Sequence, residues 1–190
     1  MINRQDRPDP WRSPVTVAQI PDGGLHRELD ADEAQRKAMA ELAGVREMIS
    51  AHASLDVTPK SGGRVHVAGH VRARVGQTCV VTLEPIETDI DEPIDQMFAP
   101  PEQIPALSDL VDDAGDDGDD IDPPEPIEGG TIDLGRLATD VLFLGIDPYP
   151  RKADAVFDHE ITPPDPEDHP FAALKALKAK PKAKRKPKAK

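Results

Sequence analysis

A single cysteine, Cys79, stands in the stretch VGQTCVVTLEPI (residues 75–86), and three kinds of chemistry could use it. A nucleophile needs its thiol ionised by a nearby cation, histidine or helix N-terminus. A structural zinc site needs a second thiolate, most simply three residues on. Thr82 stands there instead. The third use is packing, since cysteine is among the residue types most often buried. Read as a strand, the stretch puts Gln77 and Val81 on the cysteine's face, and neither is charged. The expectation is a structural strand cysteine. Catalysis at Cys79 remains the alternative, and would draw on His66 or His70 from a neighbouring strand.

Those histidines lie four apart, a ligand spacing on a helix. On a strand they share a face but sit roughly 13 Å apart at ~3.3 Å per residue, too far to clasp one ion. With Arg64, Arg72 and Arg74 they form one outward basic row. The row is either a solvated sheet face or a docking strip, for RNA phosphates or for the chain's own acidic segment. It has no interleaved aromatics on which bases could stack, so it is not built to read base sequence. The acidic run DDAGDDGDDID (112–122) sets aspartates around glycines but lacks the calcium-loop order of alternating ligands closed by a glutamate. It reads as a solvated loop, with shielding of a basic surface in place of nucleic acid as the further possibility. The paired glycines match neither phosphate-binding fingerprint, and no hydrolase or zinc-protease motif occurs. No catalytic residue, metal, cofactor or small-molecule substrate is expected.

The elements that must hold these residues can be followed along the chain. PVTVAQI (14–20) reads as a first strand, PDGG (21–24) as a turn, and LHREL as a short extended piece. Asp30 and Glu33 resemble a capping box opening a helix to Gly44, with Ala34, Ala38, Leu42 and Val45 on its packed face. MISAHASLDVT (48–58) then alternates, with Ile49, Ala51, Ala53, Leu55 and Val57 inward. GRVHVAGHVRARV (63–75) answers it with Val65, Val67, Val71, Ala73 and Val75. Together they read as a half-buried antiparallel hairpin. A third strand begins near Thr78 and runs towards ETDIDEPIDQMF, with Pro85 marking an edge, bulge or break. Residues 107–128 carry ten acids and no base, the composition of a flexible acidic loop. TIDLGRLATDVLFLG (131–145) reads as a second helix capped by Asp133, with Leu134, Leu137, Val141 and Leu144 on one face.

The fold class expected is α+β. It is a curved antiparallel sheet, open or closing into a partial barrel, with packing helices at about 30–44 and 133–145. Residues 1–13 form a flexible N-terminus, 14–152 the domain, and 153–190 a linker and lysine-rich tail. Aromatic residues make up only 3% of the 190, so the core must be aliphatic. The net charge of −13 conceals an asymmetry, because nine basic residues and no acid fall in 175–190. The body is therefore more acidic than the total suggests and a poor general binder of nucleic acid, whereas the tail alone grips polyanions. A lone cysteine, no signal peptide and no membrane-length apolar run give a soluble, cytoplasmic expectation.

Two segments in order carry a resemblance. Gln77-Thr-Cys-Val-Val-Thr-Leu-Glu-Pro-Ile86 resembles the C-x-R-C-L-E-P signature of the YceD family, the bacterial and plastid large ribosomal RNA subunit accumulation proteins. Ile132-Asp-Leu-Gly-Arg-Leu-Ala-Thr-Asp-Val-Leu-Phe-Leu-Gly-Ile-Asp-Pro-Tyr-Pro150 is similar to that family's I-D-L-G helix and its proline-containing exit. The resemblance spans about residues 14–152. Cys79, Leu83, Glu84, Pro85, Asp133, Leu134 and Gly135 match its motifs as structural positions. Thr82 replaces the second cysteine and Val81 the usual arginine, so any paired-cysteine role in relatives is lost here. The resemblance implies a non-enzymatic factor in ribosome biogenesis that promotes accumulation of large-subunit ribosomal RNA. Its partner would be precursor RNA or an assembling ribosomal protein, met through Arg64, His66, His70, Arg72 and Arg74. The alternative is an acidic adaptor in which residues 112–122 bind basic ribosomal proteins without RNA contact.

Overall fold

In the computed structural model, which describes residues 9–104 and 123–156, the alternating segments organise everything else. The chain divides into two units, Met1–Ala155 and Val156–Lys190, and every described strand and helix belongs to the first. The elements in order are β1 (Pro14–Thr16), β2 (Leu25–Asp30), α1 (Glu33–Ala43), β3 (Glu47–Pro59), β4 (Val65–Thr78), β5 (Pro85–Ala99), β6 (Glu125–Pro126), β7 (Thr131–Asp133) and α2 (Leu134–Leu144). The fold is α+β. Strands pair in the order β2-β3-β4-β5-β6, antiparallel except for the parallel β5/β6 contact, and β1 pairs with β7 in a separate two-stranded sheet. Among the described residues this order is that of an open sheet, with β2 and β6 at its edges.

The β3–β4 hairpin turns through Lys60–Arg64, where Lys60 N–H donates to the Arg64 carbonyl at 2.8 Å. Gly62 and Gly63 sit there at φ 77° and 75°, which any other residue would occupy under strain. From the turn the register runs unbroken to Ser50↔Arg74, so one face of both strands carries the apolar residues. Ala51, Ala53, Leu55 and Val57 are buried with Val65, Val67, Val71, Ala73 and Val75, as the alternation predicts. A register shift between Met48 and Ser50 then changes the parity. Met48 enters the core there and the expected Ile49 is only half-buried, since one extra residue in a strand swaps its faces.

Both helices pack into one core on the same face of the sheet, and α2 keeps the expected Asp133 cap and Gly145 end while the start of α1 corrects the sequence reading. Asp30 ends β2 and does not cap α1. The cap is Asp32, whose Oδ1 accepts from Gln35 N–H at 2.8 Å while Gln35 Oε1 accepts from Asp32 N–H at 2.8 Å. With the start displaced by two residues, Met39 and Ala40 become the buried pair and Ala34 faces solvent. Gly44 closes the helix at φ 70°. In α2, Leu134, Leu137, Ala138 and Leu142 are buried while the expected Leu144 is 86% exposed. The packed stripe runs through 134, 138 and 142, at the helical i+4 spacing, with 137 between.

Three other expectations change. Only Pro14–Thr16 of the first predicted strand is extended, and Val17–Gln19 form a 3-10 turn. Residues 79–84 are a turn, so β4 ends at Thr78 and Pro85 opens β5, where a missing N–H costs least. The acidic loop lies outside the described residues apart from its last six. There Glu125–Pro126 form β6, and Ile127 is buried with its N–H donating to the Ala99 carbonyl at 2.9 Å. The lysine-rich tail also lies outside the described residues.

Candidate interaction surface

Among the described residues the helices pack on one face of the sheet, and the other carries the outward residues of β2 to β5. On β4 these are His66, Ala68, His70, Arg72 and Arg74, the predicted row, with Arg64 in the hairpin turn before it. Across from them β5 presents Glu87, Asp89, Asp91, Pro93, Asp95 and Met97. The register sets Arg74 opposite Asp89, Arg72 opposite Asp91 and Ala68 opposite Asp95. Each of the four basic side chains on β4 then finds a carboxylate. Arg74 holds Asp89 in a two-bond fork, Nε to Oδ1 at 2.6 Å and Nη2 to Oδ2 at 2.9 Å. Arg72 Nε donates to Asp91 Oδ2 at 3.0 Å, and His70 Nδ1 lies 3.1 Å from Oδ1 of the same aspartate. His66 Nε2 lies 2.7 Å from Asp95 Oδ1. Bonds to Arg74 pull Asp89 below the ordinary carboxylate range, and bonds first to Arg72 and then to His70 do so for Asp91.

On the far side of β4, β3 and β2 continue the pattern. His26 and Asp30 on β2 stand opposite Asp56 and His52 on β3, with Glu28 opposite Ser54. Eight carboxylates, Glu47 among them, therefore share the four strands' outer face with two arginines and four histidines, and the surface is acidic while the histidines are neutral. The sequence reading found the basic row and missed its acidic counterpart. The signal was present in Glu87, Asp89, Asp91 and Asp95, which occupy alternate positions of ETDIDEPIDQM with Pro93 filling the one place between Asp91 and Asp95. Recognising it required placing β5 beside β4, which sequence alone does not dictate.

The motif around Cys79 builds a different feature. The turn from Cys79 to Glu84 closes on itself through Cys79 N–H to the Glu84 carbonyl at 2.8 Å and Leu83 N–H to the Cys79 carbonyl at 2.9 Å. The exit of α2 lies against it, with Val80 N–H donating to the Pro150 carbonyl at 3.0 Å and Lys152 Nζ to Glu84 Oε2 at 2.9 Å. Gln77 Nε2 donates to the Asp147 carbonyl at 2.8 Å in the same junction. Cys79 is fully buried and belongs to this turn, not to a strand. Its Sγ accepts backbone N–H from Thr82 and from Lys152, both at 3.4 Å. The Thr82 hydroxyl, and after it the Lys152 and Thr82 amides, hold the thiol down to about 6. Among the described residues no group of three or more His, Cys, Asp or Glu side chains is arranged to hold a metal. Leu83 stands at φ 60°, a left-handed conformation rare for leucine, and is 76% exposed.

The second motif anchors the N-terminal segment. Asp133 caps α2 by accepting from Arg136 N–H at 3.3 Å, and its Oδ1 also accepts from Ser13 N–H at 2.8 Å. Arg12 Nε adds a contact to Asp133 Oδ2 at 3.3 Å, and Leu134 N–H donates to the Ser13 carbonyl at 3.0 Å. A Cβ on Gly135 would overlap the Trp11 carbonyl, so this position admits only glycine while Trp11 stays buried. Both signatures thus have a physical account, one joining β4 to the α2 exit and the other joining α2 to residues 9–13.

The family model described as Large ribosomal RNA subunit accumulation protein YceD matches residues 67–178. The chain belongs to the YceD family. The match begins within β4, contains both motifs and runs to residue 178, so it starts and ends later than the resemblance over about 14–152 had it. No curated protein and no solved structure matches the chain. The YceD family is named for accumulation of large-subunit ribosomal RNA and not for a catalytic activity. Among the described residues no helix is long and apolar enough to cross a membrane.

Proposed function

We propose that this YceD-family protein is a non-enzymatic cytoplasmic factor that promotes accumulation of large-subunit ribosomal RNA by holding a basic segment of an assembling ribosomal protein on its outer sheet face. The observation that carries the reading is the pairing of His66, His70, Arg72 and Arg74 with Asp89, Asp91 and Asp95. A row of cations already bonded to carboxylates offers little to phosphate, while the surrounding acids favour a lysine- and arginine-rich partner. The five candidate contact residues, with Arg64 exposed at the end of the row, would then orient the partner rather than grip RNA. Cys79, Leu83, Glu84, Pro85, Asp133, Leu134 and Gly135 serve as the framework that holds the sheet and its helices in place.

Crosslinking in cells tests this, with bound RNA sequenced and bound proteins identified by mass spectrometry, using the full chain and an Asp56→Lys/Asp95→Lys variant. Recovery of basic large-subunit proteins crosslinked to β2–β5, and their loss in the variant, is the expected result. Precursor RNA crosslinked to Arg64, Arg72 or Arg74 would instead make the face an RNA contact and overturn the reading.

A further inference from the structure

The β2 edge of the outer face holds a chain of five side chains that alternate in charge type. His26 Nδ1 lies 2.8 Å from Asp56 Oδ1, and its Nε2 lies 2.8 Å from Glu28 Oε1. His52 Nδ1 lies 2.8 Å from Asp30 Oδ1, and its Nε2 lies 2.8 Å from Glu28 Oε2. Glu28 is shared by both rings and also accepts from the Ser54 hydroxyl at 2.9 Å. A neutral imidazole has one donor nitrogen and one acceptor, whereas an ionised carboxylate only accepts. Both contacts of each ring are therefore satisfied at once only by an imidazolium. Deprotonation turns one lone pair of each ring towards a carboxylate and leaves three acids exposed with no counter-charge of their own.

Nothing on the neighbouring strand compensates. On β4 the groups facing this chain are Arg72, opposite His52, and His70, opposite Ser54, with His66 and Arg74 one outward position beyond it at either end. Arg72 and His70 are committed to Asp91 on β5, His66 to Asp95 and Arg74 to Asp89. We infer that Asp56–His26–Glu28–His52–Asp30 is a proton-gated clasp, open to a basic partner when its histidines are neutral and closed to it when they are charged. The inference rests on the proposed function, because protons and the partner's cationic groups compete for the same three carboxylates. Consistent with the geometry, bonds from Asp56 and then Glu28 raise the pKa of His26, and bonds from His26 and then Ser54 lower that of Glu28. A raised histidine keeps its proton to higher pH, so the carboxylates come free as pH rises through that value. Affinity for a basic peptide should rise with pH, whereas any affinity of the same surface for RNA should fall as its histidines lose their protons.

The test uses the full chain, a synthetic lysine- and arginine-rich peptide and constant ionic strength, from about pH 5.5 to about pH 8.5, the range in which histidine titrates. Peptide affinity should rise roughly tenfold across that range, in line with the gain in local negative charge. In His26→Gln/His52→Gln, which keeps side-chain N–H donors without a titrating charge, most of that slope should vanish. Proton NMR on the native chain should place the His26 titration above its ordinary value. An unchanged slope in the double variant, pH-independent binding, or an unshifted His26 would each overturn the clasp and leave the basic-partner reading standing. Absence of peptide binding at every pH would sink both.

Discussion

At the scale of single residues, Cys79 shows how far sequence chemistry reaches. Its burial follows from residue type, but its electrostatics do not, because the donors that lower its pKa are a hydroxyl at 82 and amides at 152 and 82. Neither contact follows from strand spacing; both need the turn and the α2 exit to meet. The depressed pKa has a thermodynamic consequence with a definite sign. An acid held below its unfolded value stabilises the fold fully above that unfolded value, which for a thiol is about 8.5. That contribution shrinks as pH falls and is gone below the folded value of about 6. Cys79→Ala should therefore lower Tm more at alkaline than at mildly acidic pH, and thermal melts of both proteins across that window check it. A Tm difference independent of pH would mean that the thiol stays protonated. Thr82→Val, which removes the hydroxyl that contributes most, should move the thiolate absorbance titration of Cys79 upwards.

At the scale of elements, what the sequence made legible was pattern, and what it hid was register. The β3–β4 hairpin was readable because nine inward residues keep period two on both sides of a glycine turn. Met48 was not, because a bulge leaves no compositional mark. The α1 stripe was displaced to the adjacent pair Met39 and Ala40. In α2, Leu134 and Leu137 are buried as expected and only the C-terminal end differs, because Ala138 and Leu142 continue from Leu134 in as good an i+4 series as one reaching Leu144. The basic half of the candidate surface lies on one strand and could be read directly. Its acidic half lies on another and appears only once β4 and β5 pair. Asp133 was legible as a cap but not as the anchor of residues 12 and 13, a contact spanning 120 positions. Asp133→Ala removes both functions. It should cost about 1–2 kcal/mol through the lost cap alone, measured by urea unfolding. Because Trp11 is the only tryptophan and is buried beside this anchor, its emission should also shift to longer wavelength as the segment loosens. Asp133→Asn, which keeps a side-chain acceptor, should lose much less stability. An equal loss in both variants would place the effect in the Arg12 ion pair instead.

At the scale of the molecule, the decisive question is which sign of charge the sheet face offers. Eight acids dispersed among the cations make the face a mixed lattice, and the exposed pairs within it contribute little to stability individually. Their value lies in setting what can approach. Removing the acidic half alone isolates that role. In the full chain, Asp89→Asn/Asp91→Asn/Asp95→Asn frees Arg72, Arg74, His66 and His70 from their partners while the strands keep their pairing and their buried face. The fold should survive with nearly unchanged unfolding free energy, as expected when solvent-exposed ion pairs are lost. Affinity for single-stranded RNA should rise above that of the native chain, and its dependence on salt should steepen because more phosphates are neutralised on binding. The lysine-rich tail is common to both proteins, so the difference between them belongs to the sheet. If the native chain already matches the triple variant in affinity and salt slope, the aspartates do not mask the row. Phosphate would then be its partner, and the basic-protein reading would give way to RNA contact.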